Sequence, residues 1–146
     1  MRFVCDAAGQ KTWFRIETEA EAEAAQESEL MRHAVEKHFR RAREQASQSY
    51  RPAPGPFVEQ DIGREAHIRR TMPVFLTLRG GDGTPLATAM LPPQQPVGRD
   101  TLAVCPMVVG PGNADPYPEH GDAIRDLGER FGLALNRARC FPYGQP

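Results

Sequence analysis

Lysine is nearly missing from this chain. Of its eighteen basic residues only Lys11 and Lys37 are lysines, and the rest are arginines. Nineteen acidic residues balance them to a formal net charge of −1, which speaks against a surface that is a general electrostatic trap for nucleic acid. Cysteine is scarce and odd in number. Cys5, Cys105 and Cys140 lie far apart and form neither a disulfide framework nor a CxxC zinc pair, so a reducing cytoplasm is the expected setting. No apolar run approaches the ~18 residues of a membrane span. The opening MRFVCDAAGQKTWF has no apolar core or small-residue cleavage site of a secretory signal. Nucleotide fingerprints are missing too. Gly80-Gly81-Asp82-Gly83 and Gly110-Pro111-Gly112 lack the phosphate-loop and dinucleotide patterns, so no cofactor is expected. The first reads as a hairpin turn, and the second belongs to a long loop of the kind that often carries binding.

What is present describes one ordinary domain. With 146 residues, 40% of them hydrophobic and 25% charged, the chain is long enough to bury a core as a single unit spanning 1–146. Its clearest stretch is Thr18 to Tyr50. Thr18 and Glu21 make a capping box, and glutamates then crowd the first half while basic residues crowd the second. Leu30, Met31, Ala34, Val35, His38, Phe39, Ala42 and Ala46 recur at helical spacing. These features predict one long helix that docks by its second half, each large apolar residue contributing about 1.5–3 kcal/mol, while its acidic start, Glu19 to Glu29, points to solvent. The connector RPAPGP at 51–56 ends it with three prolines and a glycine.

Two short strand-like runs, Arg2 to Cys5 and Thr12 to Glu17, flank a turn at Gly9 and predict a first hairpin with Phe14 and Ile16 toward the core. After the connector, FVEQDIGREAHIRRTM partly fits a short helix weakened by Gly63, followed by an extended lead-in. PVFLTLR and TPLATAML predict a second hairpin with Val74, Leu76 and Leu78 on one face, and Leu86 and Met90 across the ladder. TLAVCPMVV is a further strand, Glu119 to Phe131 a helix with Ala123, Ile124, Leu127 and Phe131 inward, and RARCFPY a last strand. The order ββα(α)βββαβ defines an α+β fold: a small, mostly antiparallel sheet with a long N-terminal and a shorter C-terminal helix packed on one face.

Chemistry has few places to reside. Asp115, Glu119, His120 and Asp122 form the densest polar group and could hold a hard divalent metal or act as an acid–base pair, though such residues also make turns and favour a helix start. The cysteines fall in strands, where burial is the ordinary fate, and no sequence signal sets a histidine beside them. Arg40, Arg41 and Arg43, joined by Arg69 and Arg70 if the connector folds back, would make a basic face for phosphate or an acidic protein, with Glu36, Glu44, Glu59 and Glu65 interleaved. Trp13, Phe14 and Phe3 could form a stacking platform, a weaker expectation than core packing. No complete catalytic constellation emerges. The leading expectation is therefore a non-enzymatic protein-binding or accessory domain, acting on a protein partner or on a second copy of itself. The alternatives are nucleic-acid binding through the arginines, and a small metal-dependent or hydrolytic enzyme built on Asp115 to Asp122.

Overall fold

In the computed structural model, residues 1–27, 35–52, 54–93, 105–138, 140 and 142 are described. Five antiparallel strands lie in chain order: β1 (Arg2–Ala7), β2 (Lys11–Ile16), β3 (Val74–Arg79), β4 (Pro85–Leu91) and β5 (Met107–Val109). Four helices accompany them: α1 (Glu19–Glu27), α2 (Val35–Gln48), α3 (Phe57–Thr71) and α4 (Tyr117–Phe131). The fold is α+β, as the patterning predicts. No helix among the described residues is long and apolar enough to cross a membrane.

Local chemistry explains the hairpins. Gly9 and Gln10 both take positive φ in the β1–β2 turn, and Gly83 does so between β3 and β4. There the Gly83 amide bonds the Gly80 carbonyl, and Asp82 Oδ1 accepts from the Thr84 amide at 3.0 Å. Across β3 and β4 the register is Val74 with Leu91, Leu76 with Ala89 and Leu78 with Ala87. This corrects the expected partners. Met90 sits opposite Phe75 on the other face, because a side chain one residue out of phase points through the sheet.

Both faces of the sheet are covered, rather than one. Trp13, Leu76, Leu78 and Val108 pack beneath Ala123, Ile124 and Leu127 of α4. Ile16 and Phe75 pack on the opposite face against α1, α2 and α3. Trp13, expected to face away from the core, is therefore fully buried, and its indole Nε1 donates to the Ala123 carbonyl at 2.8 Å. Gly132, with φ of 69°, closes α4, and the Leu133 amide returns to the Gly128 carbonyl at 2.8 Å.

The expected single long helix is two helices. Thr18 and Glu21 do start α1, with the Glu21 amide on Thr18 Oγ1 at 3.1 Å. But α1 then packs against α2, which one straight helix cannot do to itself. Ala22 and Ala25 are buried in that contact, because alanine lets two backbones approach closely. So the acidic segment docks by its alanines instead of standing free. Leu30, Met31 and Ala34 of the expected stripe lie outside the described residues, and His38 is exposed, not on the buried stripe.

Residues 57–71 form one complete helix, which ends at Thr71 because Met72, the extended residue before Pro73, is disfavoured from helix by the proline ring. Of its expected apolar residues Ile68 is buried, while Phe57 and Ile62 are among the exposed large hydrophobics. Gly63 is tolerated mid-helix because a Cβ there would run into the Tyr50 hydroxyl. At the C-terminus, the described residues of the expected strand RARCFPY are in turns or bends, with Leu135 and Cys140 joining the core below α4.

Candidate functional site

The Asp115–Asp122 group is spread out by its neighbours. Asp115 accepts from the Tyr117 amide at 3.0 Å and from Arg137 Nε at 2.8 Å, and the Arg137 hydrogen bond holds its carboxyl below the usual range. Glu119 is 85% exposed at its side chain, and Asp122 pairs with Arg125 at 3.4 Å. His120 turns inward instead. Its Nδ1 accepts from Lys11 Nζ at 2.8 Å, which joins α4 to β2 across the first hairpin. Among the described residues no group of three or more His, Cys, Asp or Glu is placed to hold a metal.

Burial lowers the His120 pKa below its ordinary value, the Lys11 ammonium lowers it further, and Glu119 opposes both. The folded state thus favours neutral imidazole. Stability from this group is complete above the unfolded value of about 6.5 and is lost as pH falls through the lower folded value. We expect the melting temperature to drop between pH 7 and 5 by more in the wild type than in His120→Gln. Equal slopes, read by circular dichroism, would show that the Lys11–His120 contact is not what titrates.

Two of the cysteines are held toward the neutral thiol. Burial pushes Cys5 up against the lowering effect of Arg130, and burial likewise pushes up Cys140, whose hydrogen bond to Tyr117 only partly offsets it. Cys105 is exposed.

One pairing has no sequence signal. Ser49 Oγ lies 2.7 Å from His67 Nε2, joining the end of α2 to α3. It resembles a nucleophile and its base, but the same hydroxyl donates to the Ala46 carbonyl at 2.8 Å. With its one proton committed there, Ser49 accepts from Nε2–H, the reverse of what activating a nucleophile requires. Tyr50 lies tilted on the His67 ring, and the Arg64 guanidinium sits over Tyr50 at 5.4 Å, so this cluster clamps the two helices.

The predicted arginines part company. Arg40 pairs with Glu36 along α2 at 3.0 Å, and Arg41 and Arg70 are exposed. Arg43 and Arg69 turn into a shared groove, however, where Arg43 Nη2 meets Glu65 at 2.6 Å and Arg69 Nη2 meets Glu17 at 3.3 Å. The spacing explains it: Glu65, Ile68 and Arg69 form one stripe along α3, which Met72 continues at its cap, and Phe39 and Arg43 sit one turn apart on α2. Glu17, at the end of β2, and Glu19 and Glu21, in the first turn of α1, complete the wall.

The groove is open and has a volume of about 590 Å³, and an inner pocket of about 50 Å³ shares Glu17, Phe39, Arg43, Glu65 and Arg69 with it. Ile16, Phe39, Ile68 and Met72 line the inner pocket, beside the charged Arg15, Arg43 and Arg69. Of the acidic start and the Arg40–Arg43 cluster, Glu19, Glu21 and Arg43 line this groove. Arg15 was missed because it reads as the polar residue of an alternating strand.

Comparison with protein-family models, with curated proteins and with solved structures returns no match.

Proposed function

We propose that this protein is an intracellular, non-enzymatic binding domain whose groove between β2, α1, α2 and α3 receives a segment of a partner protein. The observation that carries this reading is the mixed sign of the groove wall: Arg15, Arg43 and Arg69 face Glu17, Glu19, Glu21 and Glu65. An extended or helical peptide with both charges can match such a wall. A polynucleotide matches it poorly, since Glu17, Glu19, Glu21 and Glu65 along the groove repel the successive phosphates of its backbone.

The test uses a photoreactive residue at Arg69 and measures crosslinking in living cells. One predominant protein adduct, or a dimer of this chain, is expected. Arg43→Glu should weaken retention of that adduct roughly tenfold or more, and the double variant Arg43→Glu with Glu65→Arg should restore part of it. No adduct, together with a monomer by light scattering, would refute the reading. Salt-sensitive retention of RNA or DNA, lost in Arg43→Gln, would establish nucleic-acid binding in its place.

A further inference from the structure

The inner end of the groove holds more guanidinium groups than carboxylates to receive them. Glu17 alone is shared by two arginines: Arg2 Nε lies 3.5 Å from its Oε1, and Arg69 Nη2 lies 3.3 Å from its Oε2. Arg15 pairs in register with Arg2 across β1 and β2, so their side chains leave the same face of the sheet side by side. Its side chain makes no hydrogen bond or ion pair with any described residue. Three cations around one anion leave a local surplus of two positive charges.

Arg15 is also partly withdrawn from water. Burial holds its guanidinium below the ordinary arginine range; Glu17 opposes that effect, and Arg69 and Arg2 add to it. A guanidinium remains charged under all ordinary conditions and offers five N–H donors in a fixed fork. Such a group, half-buried among its own kind, finds among the described residues no pair of acceptor oxygens of the kind its geometry matches. The neighbouring pocket, lined by Arg15, Glu17 and Arg69, has the size of a single acid group, and Ile68 and Met72 limit competing water.

We propose that Arg15, Arg2 and Arg69 form an oxyanion-binding site that takes a carboxylate or phosphate group, Arg15 being its central donor. This rests on the groove being a binding site and goes further, by naming the chemistry of what enters its inner end. Glu17 then acts as a resident competitor. It holds Arg2 and Arg69 in place while the site is empty and shares them when an anion arrives.

Acetate and inorganic phosphate are the probes, titrated at constant ionic strength with sodium chloride as the balance. The readout is the NMR shift of arginine side-chain Nε–Hε signals. A saturable shift of the Arg15 signal is expected. Arg15→Gln should raise the dissociation constant at least tenfold, and Glu17→Gln, which removes the competitor, should lower it severalfold. Tighter acetate binding identifies a carboxylate as the natural group, and tighter phosphate binding identifies a phosphate. Shifts that never saturate, or that persist unchanged for Arg2 and Arg69 in Arg15→Gln, mean an adventitious ion only and overturn the proposal. If Arg15→Gln fails to fold, Glu17→Gln still decides: unchanged or weaker anion binding refutes the site. Saturable binding without any crosslinked protein would refute the partner reading while supporting this site. A partner lost in Arg43→Glu but held by a protein that binds neither anion would do the reverse.

Discussion

Trp13→Ala should lower stability by about 3–5 kcal/mol, the usual cost of removing a large buried aromatic side chain. For a chain of this size that corresponds to a fall in melting temperature of roughly 10 °C or more. Trp13 has no exposed surface and lies where the first hairpin meets α4, within the cluster that includes Leu78 and Ile124. Its indole also supplies the donor to the Ala123 carbonyl. Trp13→Phe separates the two contributions. It keeps most of the apolar contact but leaves that carbonyl without its side-chain partner, so a loss of about 1–3 kcal/mol is expected. Trp13 is the only tryptophan, and the measurement therefore needs calorimetry or circular dichroism in place of intrinsic fluorescence. A loss below about 1 kcal/mol for Trp13→Ala would contradict the packing of α4 on this face.

Phe39→Ala should cost a similar amount, about 3–5 kcal/mol, on the other face of the sheet. Phe39 is 1% exposed and meets Phe75 edge to face, with centroids 5.4 Å apart and planes at 67°. That geometry adds about 0.5–1.5 kcal/mol to the area buried. Phe39 is also where α2 contacts both the sheet and the groove, so its removal should loosen α1 and α2 first. Amide hydrogen exchange distinguishes the two variants. Phe39→Ala should speed exchange in α1 and α2 more than in α4, and Trp13→Ala should do the opposite. Uniform acceleration in both would mean that the two clusters behave as one cooperative core.

The clamp of Ser49, Tyr50 and His67 shows why the site was only partly legible. Ser49 and Tyr50 close one helix and His67 sits within another, and their contact depends on how the Pro-rich connector turns. Sequence spacing carries no such information. Arg43 and Arg69 were singled out for their charge, and the structure brings them to one cleft, whereas Arg40, Arg41 and Arg70 stay outside it. Asp115 and His120 were grouped by proximity in the chain, yet one turns to Arg137 and the other to Lys11. Neighbours in sequence share a segment of backbone, but their side chains answer to whatever packs on each side.

Local chemistry alone determined a good part of this protein. The capping of α1 by Thr18 and Glu21, the turn at Gly80 to Gly83, and the inward residues of α4 follow from interactions within a few residues. The antiparallel pairing of β3 and β4 follows from that turn. Tertiary structure decided the rest. The helical repeat from Thr18 to Tyr50 sets which residues align, but whether the helix continues or folds back depends on what its alanines meet. Here they meet α2, because close backbone approach buries Ala22 and Ala25 beside Phe39. That fold-back sets the acidic first turn of α1 opposite Arg43, and the packing of α3 brings Arg69 to Glu17. The groove comes from three helices and a strand end meeting in space, and long-range packing alone could assemble it.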